Sequence, residues 1–149
     1  MSLKDWLRNA WLTEHEPSRQ EISDLLTLIA RDLNDCQSPG LSADWQMAIA
    51  YNAALQVAVA GLAAEGYRLS RESHHYRAIQ SLAFTLGCDT TTITHLEAFR
   101  KKRNISDYER AGSVSGREAS EMLMLAEHLR TELIRWLGHA HPDLAPPGA

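Results

Sequence analysis

One apolar, alanine-rich stretch, running from Met47 to Ala64, limits the possible folds more than any other feature of the sequence. Asn52 and Gln56 interrupt it, and their amide groups would be costly to place in the core of a lipid bilayer. Many of its residues are small, and small side chains let neighbouring helices pack closely. The stretch therefore predicts the central helix of a soluble bundle, extending from about Ser42 to about Glu65.

Two capping-box sequences mark the starts of other helices. Ser18 with Glu21, and Ser115 with Glu118, have the S-x-x-E form, in which the two side chains satisfy backbone N–H groups of the first turn. After each box, apolar residues recur at spacings of three and four. This spacing predicts a helix with one buried face at each position.

Further helices are predicted near the N-terminus, from about residue 72 to 86, and from about Thr90 to Tyr108. No run of β-branched residues is long enough to predict a strand. The predicted fold class is therefore all-α, a single up-and-down helical bundle of about five to six helices over residues 1–141. Residues 142–149 are rich in proline and are expected to form a disordered tail.

Composition sets broad limits on function. Of the 149 residues, 44% are hydrophobic and 23% are charged, which is typical of a soluble globular domain and of neither a disordered nor a membrane protein. The formal net charge of −4 disfavours non-specific binding of nucleic acid over the whole surface. The opening residues lack the apolar core of a signal peptide, so a cytoplasmic location is expected. Cys36 and Cys88 are far apart in sequence, and free thiols are favoured over a disulfide.

The segment from Ile93 to Arg110, ITHLEAFRKKRNISDYER, places polar groups on an apolar helix face. At about 100° per residue, with Leu96 at zero, Ile93 lies near +60° and Phe99 near −60°. One turn later, Arg103 falls at about −20°, in the middle of the same buried arc. An inward guanidinium is costly to bury without partners, so it requires a counter-charge, water or a ligand.

Two interpretations of this cluster follow from the residues. In the first, Asp107 lies four residues after Arg103 and forms a half-buried salt bridge with it. In the second, Arg103 and Arg100 bind a phosphate, and Asn104 and Tyr108 add hydrogen bonds. The four consecutive basic residues that begin at Arg100 are the only concentrated positive region of the acidic chain, so they would attract RNA or a nucleotide.

Three segments of the chain resemble the HEPN domain family. They are FRKKRNISDY, followed by a loop and an amphipathic helix, and the earlier AYNAALQVAVAGLAAEGYR and ESHHYRAIQSL. The resemblance spans about Trp45 to Trp136. HEPN domains are small helical bundles of prokaryotic toxin and defence systems, and also occur beside kanamycin-type nucleotidyltransferases. The resemblance implies a homodimer that binds RNA or a nucleotide and, in its ribonuclease members, cuts RNA without a metal or cofactor.

The HEPN ribonuclease motif transfers only in part to this sequence. Arg103 matches the motif arginine and Asn104 the polar residue after it, whereas Tyr108 stands in the place of the motif histidine. A tyrosine, with an ordinary pKa of about 10, is a poor base at neutral pH compared with histidine at about 6.5. We therefore expect weak or absent RNA cleavage with retained phosphate binding, unless His74 or His75 folds back to replace the base.

A function of a different class fits the same residues. The bundle would then be a non-catalytic interaction module that docks a partner protein, such as a nucleotidyltransferase, and Arg103 would belong to a structural network. A metal site is not expected, because His74 and His75 are adjacent and diverge by about 100° on a helix.

Overall fold

The computed structural model describes residues 1–72, 75–108 and 114–147, and for residues 104–108 it describes the backbone alone. Within these residues, six helices and two short strands follow one another along the chain. They are α1 (Leu3–Arg8), β1 (Leu12–Glu14), α2 (Arg19–Asp35), α3 (Ala43–Ala64), β2 (Tyr67–Leu69), α4 (His75–Ser81), α5 (Thr90–Tyr108) and α6 (Gly116–Ala140). The prediction of an all-α helical bundle is confirmed.

Helix α3 is the central helix, as the alanine-rich stretch predicts. It packs most extensively against α6 and α2. Although α3 is long and apolar enough to span a membrane, 72% of its most apolar window is buried inside the bundle, as in the core helix of a soluble protein. The polar interruption at Asn52 has a structural role, because its Nδ2 donates a hydrogen bond of 2.8 Å to Oδ2 of Asp32 on α2. Arg31 completes the pairing of that buried carboxylate at 3.1 Å.

Helices α3 and α6 run in the same direction. At their N-terminal ends, the backbone N–H of Val114 donates to Oδ1 of Asp44 at 3.2 Å. At their C-terminal ends, Nε2 of His141 lies 3.4 Å from Oε2 of Glu65. The start of α6, which carries one of the predicted capping boxes, is therefore held beside the start of α3.

Helix α4 departs from the predicted up-and-down order, because it runs parallel to the helix before it. His75, at its start, contacts Tyr51 in the first half of α3. Thr85, just after its end, lies beside Gly61 near the end of α3, where a Cβ added to the glycine would lie 3.2 Å from the threonine Oγ1. The glycine thus permits the close approach that the small residues of α3 predict. The connection from α3 to α4 must return along the bundle, and this places the start of α4 near the middle of α3.

The two strands were not predicted. They form an antiparallel ladder of three residues each, with Leu12 opposite Leu69 and Glu14 opposite Tyr67. Three residues are too few for an alternating apolar pattern to be recognised in the sequence. The ladder contributes to a second small core, in which Leu12 and Trp6 pack with Leu62 of α3.

Two other boundaries differ from the prediction. Helix α4 begins at His75 and ends at Ser81, and tight turns continue the chain to residue 86, whereas the prediction extended the helix over 72–86. In the turn region, Ser81 Oγ donates to the carbonyl of Ala78 at 2.6 Å and Thr85 Oγ1 to that of Ser81, and such side-chain bonds compete with helix formation.

The predicted disordered tail is also corrected for residues 142–147. Leu144 packs against the core, and Ala145 is only 5% exposed. The backbone N–H groups of both residues donate to the carbonyl of His141, which folds the chain back after α6. Residues 148–149 lie outside the described part of the chain.

A carboxylate near the sheet makes folding stability depend on pH. Burial alone would raise the pKa of Glu21, but hydrogen bonds from His15 and Arg68 outweigh it and hold the pKa below its ordinary value of 4.5. A lowered carboxyl pKa stabilises the folded state at pH values above 4.5, and this contribution is lost as the pH falls through the lower folded-state value. The ionised carboxylate of Glu21 accepts hydrogen bonds at 2.7 Å from His15 and 3.1 Å from Arg68.

We therefore expect Glu21→Gln to lower the free energy of unfolding at pH 7 by up to about 1 kcal/mol, since the pair is only partly buried. The difference between wild type and variant should shrink as the pH is lowered below 4.5. Urea denaturation at several pH values measures it, with Glu16→Gln, an exposed residue of the preceding loop, as the control. A constant difference from pH 7 to pH 3 would contradict the prediction.

Candidate functional site

Helix α5 has the buried face that its sequence predicts. Leu96 is fully buried, and Ile93 and Phe99 are nearly so. One turn after Phe99, Arg103 continues this face and is partly buried, with its guanidinium directed at α3. The predicted inward position of Arg103 is confirmed.

The guanidinium of Arg103 lies against the ring of Tyr51. Its Cζ atom is 5.5 Å from the ring centroid, within the range of a cation–π interaction. Tyr51 is a fully buried residue of α3 and forms a rigid floor for the arginine. The contact fixes the guanidinium between α3 and α5 without using its N–H donors.

Two buried polar atoms at this contact lack partners. Within the described part of the chain, neither Nε of Arg103 nor the hydroxyl of Tyr51 has a hydrogen-bond partner. A buried polar group left unpaired destabilises a fold by roughly 1–3 kcal/mol, so unpaired groups in one place need an explanation. Both groups can donate a hydrogen bond, so each needs an acceptor, and an anionic ligand would supply acceptor oxygens.

Burial keeps the hydroxyl of Tyr51 protonated. It raises the pKa of Tyr51 far above the ordinary value of 10, although the positive charges of Arg100 and Arg103 act in the opposite direction. Tyr51 is therefore a hydrogen-bond donor at neutral pH and has no role as a base.

Arg100 is held by a carboxylate on its own helix. Its Nε and Nη2 donate to Glu97 at 3.1 and 3.0 Å, and this hydrogen bonding raises the pKa of Arg100. One edge of the guanidinium is thus occupied, whereas the sequence predicts Arg100 as a direct phosphate ligand. The structure leaves its main contribution as a positive charge beside Arg103.

The start of α4 brings two further rings to the cluster. The ring of His75 lies 6.3 Å from that of Tyr51, the ring that Arg103 also contacts. The ring of Tyr76 lies 5.9 Å from Cζ of Arg100 and is 47% exposed. His75 therefore shares Tyr51 as a neighbour with Arg103, the role of a histidine as a replacement base stays a prediction, and His74 lies outside the described residues. We call Tyr51, His75, Tyr76, Arg100 and Arg103 the arginine–tyrosine cluster.

The remaining basic residues of this run are arranged differently. Lys101 is exposed, and Nζ of Lys102 lies 2.9 Å from Oε2 of Glu118. That hydrogen bond, with those from Ser115, lowers the pKa of Glu118. Lys102 thereby joins α5 to the capping box that begins α6.

Three predicted site residues are placed by their backbone only. Asn104, Asp107 and Tyr108 belong to α5, which ends at Tyr108, and their side chains lie outside what the structure describes. The pairing of Arg103 with Asp107 and the orientation of Tyr108 therefore stay predictions.

Two residues of the cluster, Tyr51 and Tyr76, and the Glu97 that pairs with Arg100 were not predicted from the sequence. The sequence did contain one indication of Tyr51, because it is the only aromatic residue in the middle of the alanine-rich helix and it carries a hydroxyl group. Glu97 is three residues before Arg100, a spacing that pairs charges on a helix. Tyr76 reaches the cluster through the direction of α4, which no local pattern indicates.

A second arginine shares one property with Arg103. Nε of Arg130 is buried without a hydrogen-bond partner, beside a cavity of about 350 Å³ between α2 and α6. The carboxylate of Glu127 lines the same cavity, and Asp35 and Asp32 lie near this end of α2. The acidic surroundings disfavour an anion there, so the arginine–tyrosine cluster is the better candidate.

Other chemistry finds little support in the part of the chain that is described. Among residues 1–72, 75–108 and 114–147, no group of three or more His, Cys, Asp or Glu side chains is placed to hold a metal ion. Cys36 and Cys88 are free thiols, and burial raises the pKa of Cys88 to about 11. Neither thiol is activated as a nucleophile.

Comparison of the chain with protein-family models, curated proteins and solved structures found no match. The resemblance to HEPN domains therefore depends on the three sequence segments alone.

Proposed function

We propose that this protein is a HEPN-like RNA- or nucleotide-binding protein whose phosphate site is the arginine–tyrosine cluster. The observation that carries the proposal is the pair of unpartnered buried donors, Nε of Arg103 and the hydroxyl of Tyr51, at one contact between α3 and α5. A phosphate oxygen within reach of either donor would accept its hydrogen bond.

The chemistry of the cluster suits an oxyanion such as phosphate. A guanidinium offers several donors in a planar fork that matches phosphate oxygens, and its charge-assisted hydrogen bonds are stronger than neutral ones. Tyr51 packs against the guanidinium of Arg103, and Arg100, paired with Glu97, lies one turn earlier on α5. Little conformational freedom would be lost when a ligand binds, which favours affinity.

The most direct test measures binding of a single-stranded RNA oligomer and of a mononucleotide at low salt, with fluorescence anisotropy or calorimetry. We expect micromolar or weaker affinity that falls as salt is added, because the contact is to phosphate. Arg103→Ala should abolish it. Arg135→Ala removes the same charge from an exposed position on α6 and should bind as the wild type does. Equal binding by Arg103→Ala and wild type would refute the proposed site.

The resemblance to HEPN domains extends this proposal. On that basis the protein is a degenerate, metal-independent ribonuclease of a toxin–antitoxin or defence system. Tyr108 in the place of the motif histidine then explains weak or absent cleavage, because it is a poor base at neutral pH. A homodimer in the cytoplasm, with two clusters facing one cleft, belongs to the same proposal.

Tyr108→His supplies the missing base and tests the ribonuclease part separately. If the site is a disabled ribonuclease, the variant should cut a labelled RNA oligomer in EDTA, and Arg103→Ala in the same background should remove the activity. RNA binding without cleavage by the variant would leave a binding protein and exclude the ribonuclease.

A second candidate function, an interaction module, is favoured by two exposed apolar side chains. Trp45 on α3 and Met124 on α6 are 64% and 69% exposed, and both lie toward the N-terminal ends of these parallel helices. Exposed apolar residues of this size are common in protein–protein contacts. Under this candidate the partner is a protein such as a nucleotidyltransferase, RNA and nucleotides do not bind, and Arg103→Ala lowers the melting temperature.

A further inference from the structure

We infer that Tyr76 is a stacking platform for a nucleobase, so the cluster selects ligands that carry an aromatic base together with a phosphate. The inference rests on the proposed function and assigns the part of the ligand beyond the phosphate. Tyr76 lies on α4, outside both the HEPN-like motif and the helix α5 that carries it.

Tyr76 is the exposed tyrosine of the cluster. It is 47% exposed, whereas Tyr51 is fully buried and can offer no surface to a base. Aromatic side chains beside positive groups are the usual platform for single-stranded nucleic acids, because every base has a face that can stack.

Arg100 supports this ring from one side. Its Cζ lies 5.9 Å from the Tyr76 centroid, and Glu97 holds the guanidinium in place through two of its donors. A base on the solvent side of Tyr76 would complete a stack of base, ring and guanidinium, in which the cation strengthens the aromatic contact.

The spacing of the two arginines connects platform and phosphate. Arg100 and Arg103 are three residues apart on α5, so their Cβ atoms lie roughly 5–6 Å apart on one side of the helix. Arg100 contacts Tyr76 and Arg103 contacts Tyr51. The platform and Nε of Arg103 are therefore connected through neighbouring positions of α5, and we place the base and the phosphate of one nucleotide across them.

The test compares ligands with and without a base. Ribose 5-phosphate, a nucleoside 5′-monophosphate, a single-stranded RNA oligomer and the same oligomer as a duplex are titrated into wild type, Tyr76→Ala and Tyr76→Phe. We expect Tyr76→Ala to weaken binding of the monophosphate and of the single strand by roughly tenfold or more. Its affinity for ribose 5-phosphate should be unchanged, and Tyr76→Phe should bind as wild type does. The monophosphate and the oligomer distinguish a free nucleotide from RNA as the tighter ligand.

A matched control is Trp45→Ala, which removes an exposed aromatic side chain outside the cluster. It should leave all four affinities unchanged. The inference is overturned if Tyr76→Ala binds the monophosphate and the single strand as tightly as wild type does, or if it loses ribose 5-phosphate to the same extent. In both cases the proposed function stands as long as Arg103→Ala abolishes binding. If wild type binds none of the ligands, the proposed function itself fails.

Discussion

Arg103→Met is expected to abolish phosphate-dependent binding without destabilising the protein. Within the described part of the chain, Nε of Arg103 is buried and unpaired, so its removal relieves a cost of roughly 1–3 kcal/mol. The lost cation–π contact with Tyr51 offsets part of this, at about 0.5–1 kcal/mol. The net change in the free energy of unfolding should lie between zero and a gain of about 2.5 kcal/mol.

This combination separates the two interpretations of the cluster. An arginine kept for ligand binding destabilises the unliganded fold, whereas a structural salt bridge with Asp107 would stabilise it. Urea denaturation of wild type, Arg103→Met and Arg103→Lys measures the difference. The lysine variant keeps the charge but loses the planar fork, so its binding should be intermediate. A loss of more than about 2 kcal/mol in Arg103→Met would favour the structural network instead.

Tyr51→Ala is expected to have the largest effect on stability among substitutions in the cluster. Tyr51 is fully buried, and truncation of a buried aromatic side chain to alanine usually costs about 3–5 kcal/mol. The floor beneath Arg103 and His75 would be lost as well, so binding should fail even where the variant still folds. Thermal and urea denaturation measure the loss of stability. Binding is then measured at temperatures at which the variant is fully folded.

Tyr51→Phe is the control that keeps the ring and removes the hydroxyl. Because that hydroxyl is unpaired, the variant should be as stable as wild type or slightly more stable at pH 7. The raised pKa of Tyr51 adds a second expectation, since the folded state holds this proton more tightly than the unfolded chain. Wild type should lose stability as the pH rises above 10, and Tyr51→Phe should lose less. A phenylalanine variant that is much less stable than wild type at pH 7 would contradict the unpaired hydroxyl.

Local periodicity was sufficient to predict the helices and the buried face of α5. Ser18, Ser42 and Ser115 all cap the helices that follow them, because a cap is a contact within four residues of one chain segment. The inward position of Arg103 also follows from its spacing to Leu96 alone. These features need no knowledge of the rest of the fold.

The rest of the candidate site depends on contacts between distant segments. Tyr51 and Arg103 are brought together by the packing of α5 on α3, and Tyr76 joins them because α4 runs parallel to α3. The direction of α4 is set by the connection through β2, a strand too short to predict from a pattern. The charged face of α5 could therefore be predicted from the sequence, but the packing of Tyr51 and Tyr76 beside it could not.

The proposed phosphate site depends on Nε–H of Arg103, a buried donor that has no hydrogen-bond partner within the described part of the chain. The resonance of this group in a ¹H–¹⁵N spectrum, assigned by its absence in Arg103→Met, tests the claim most directly during titration with ribose 5-phosphate and then with a nucleoside monophosphate. We predict that this resonance shifts in step with binding, with a larger change for the nucleotide. If a ligand binds while the Arg103 resonance stays in place, the claim is contradicted and the phosphate site lies elsewhere.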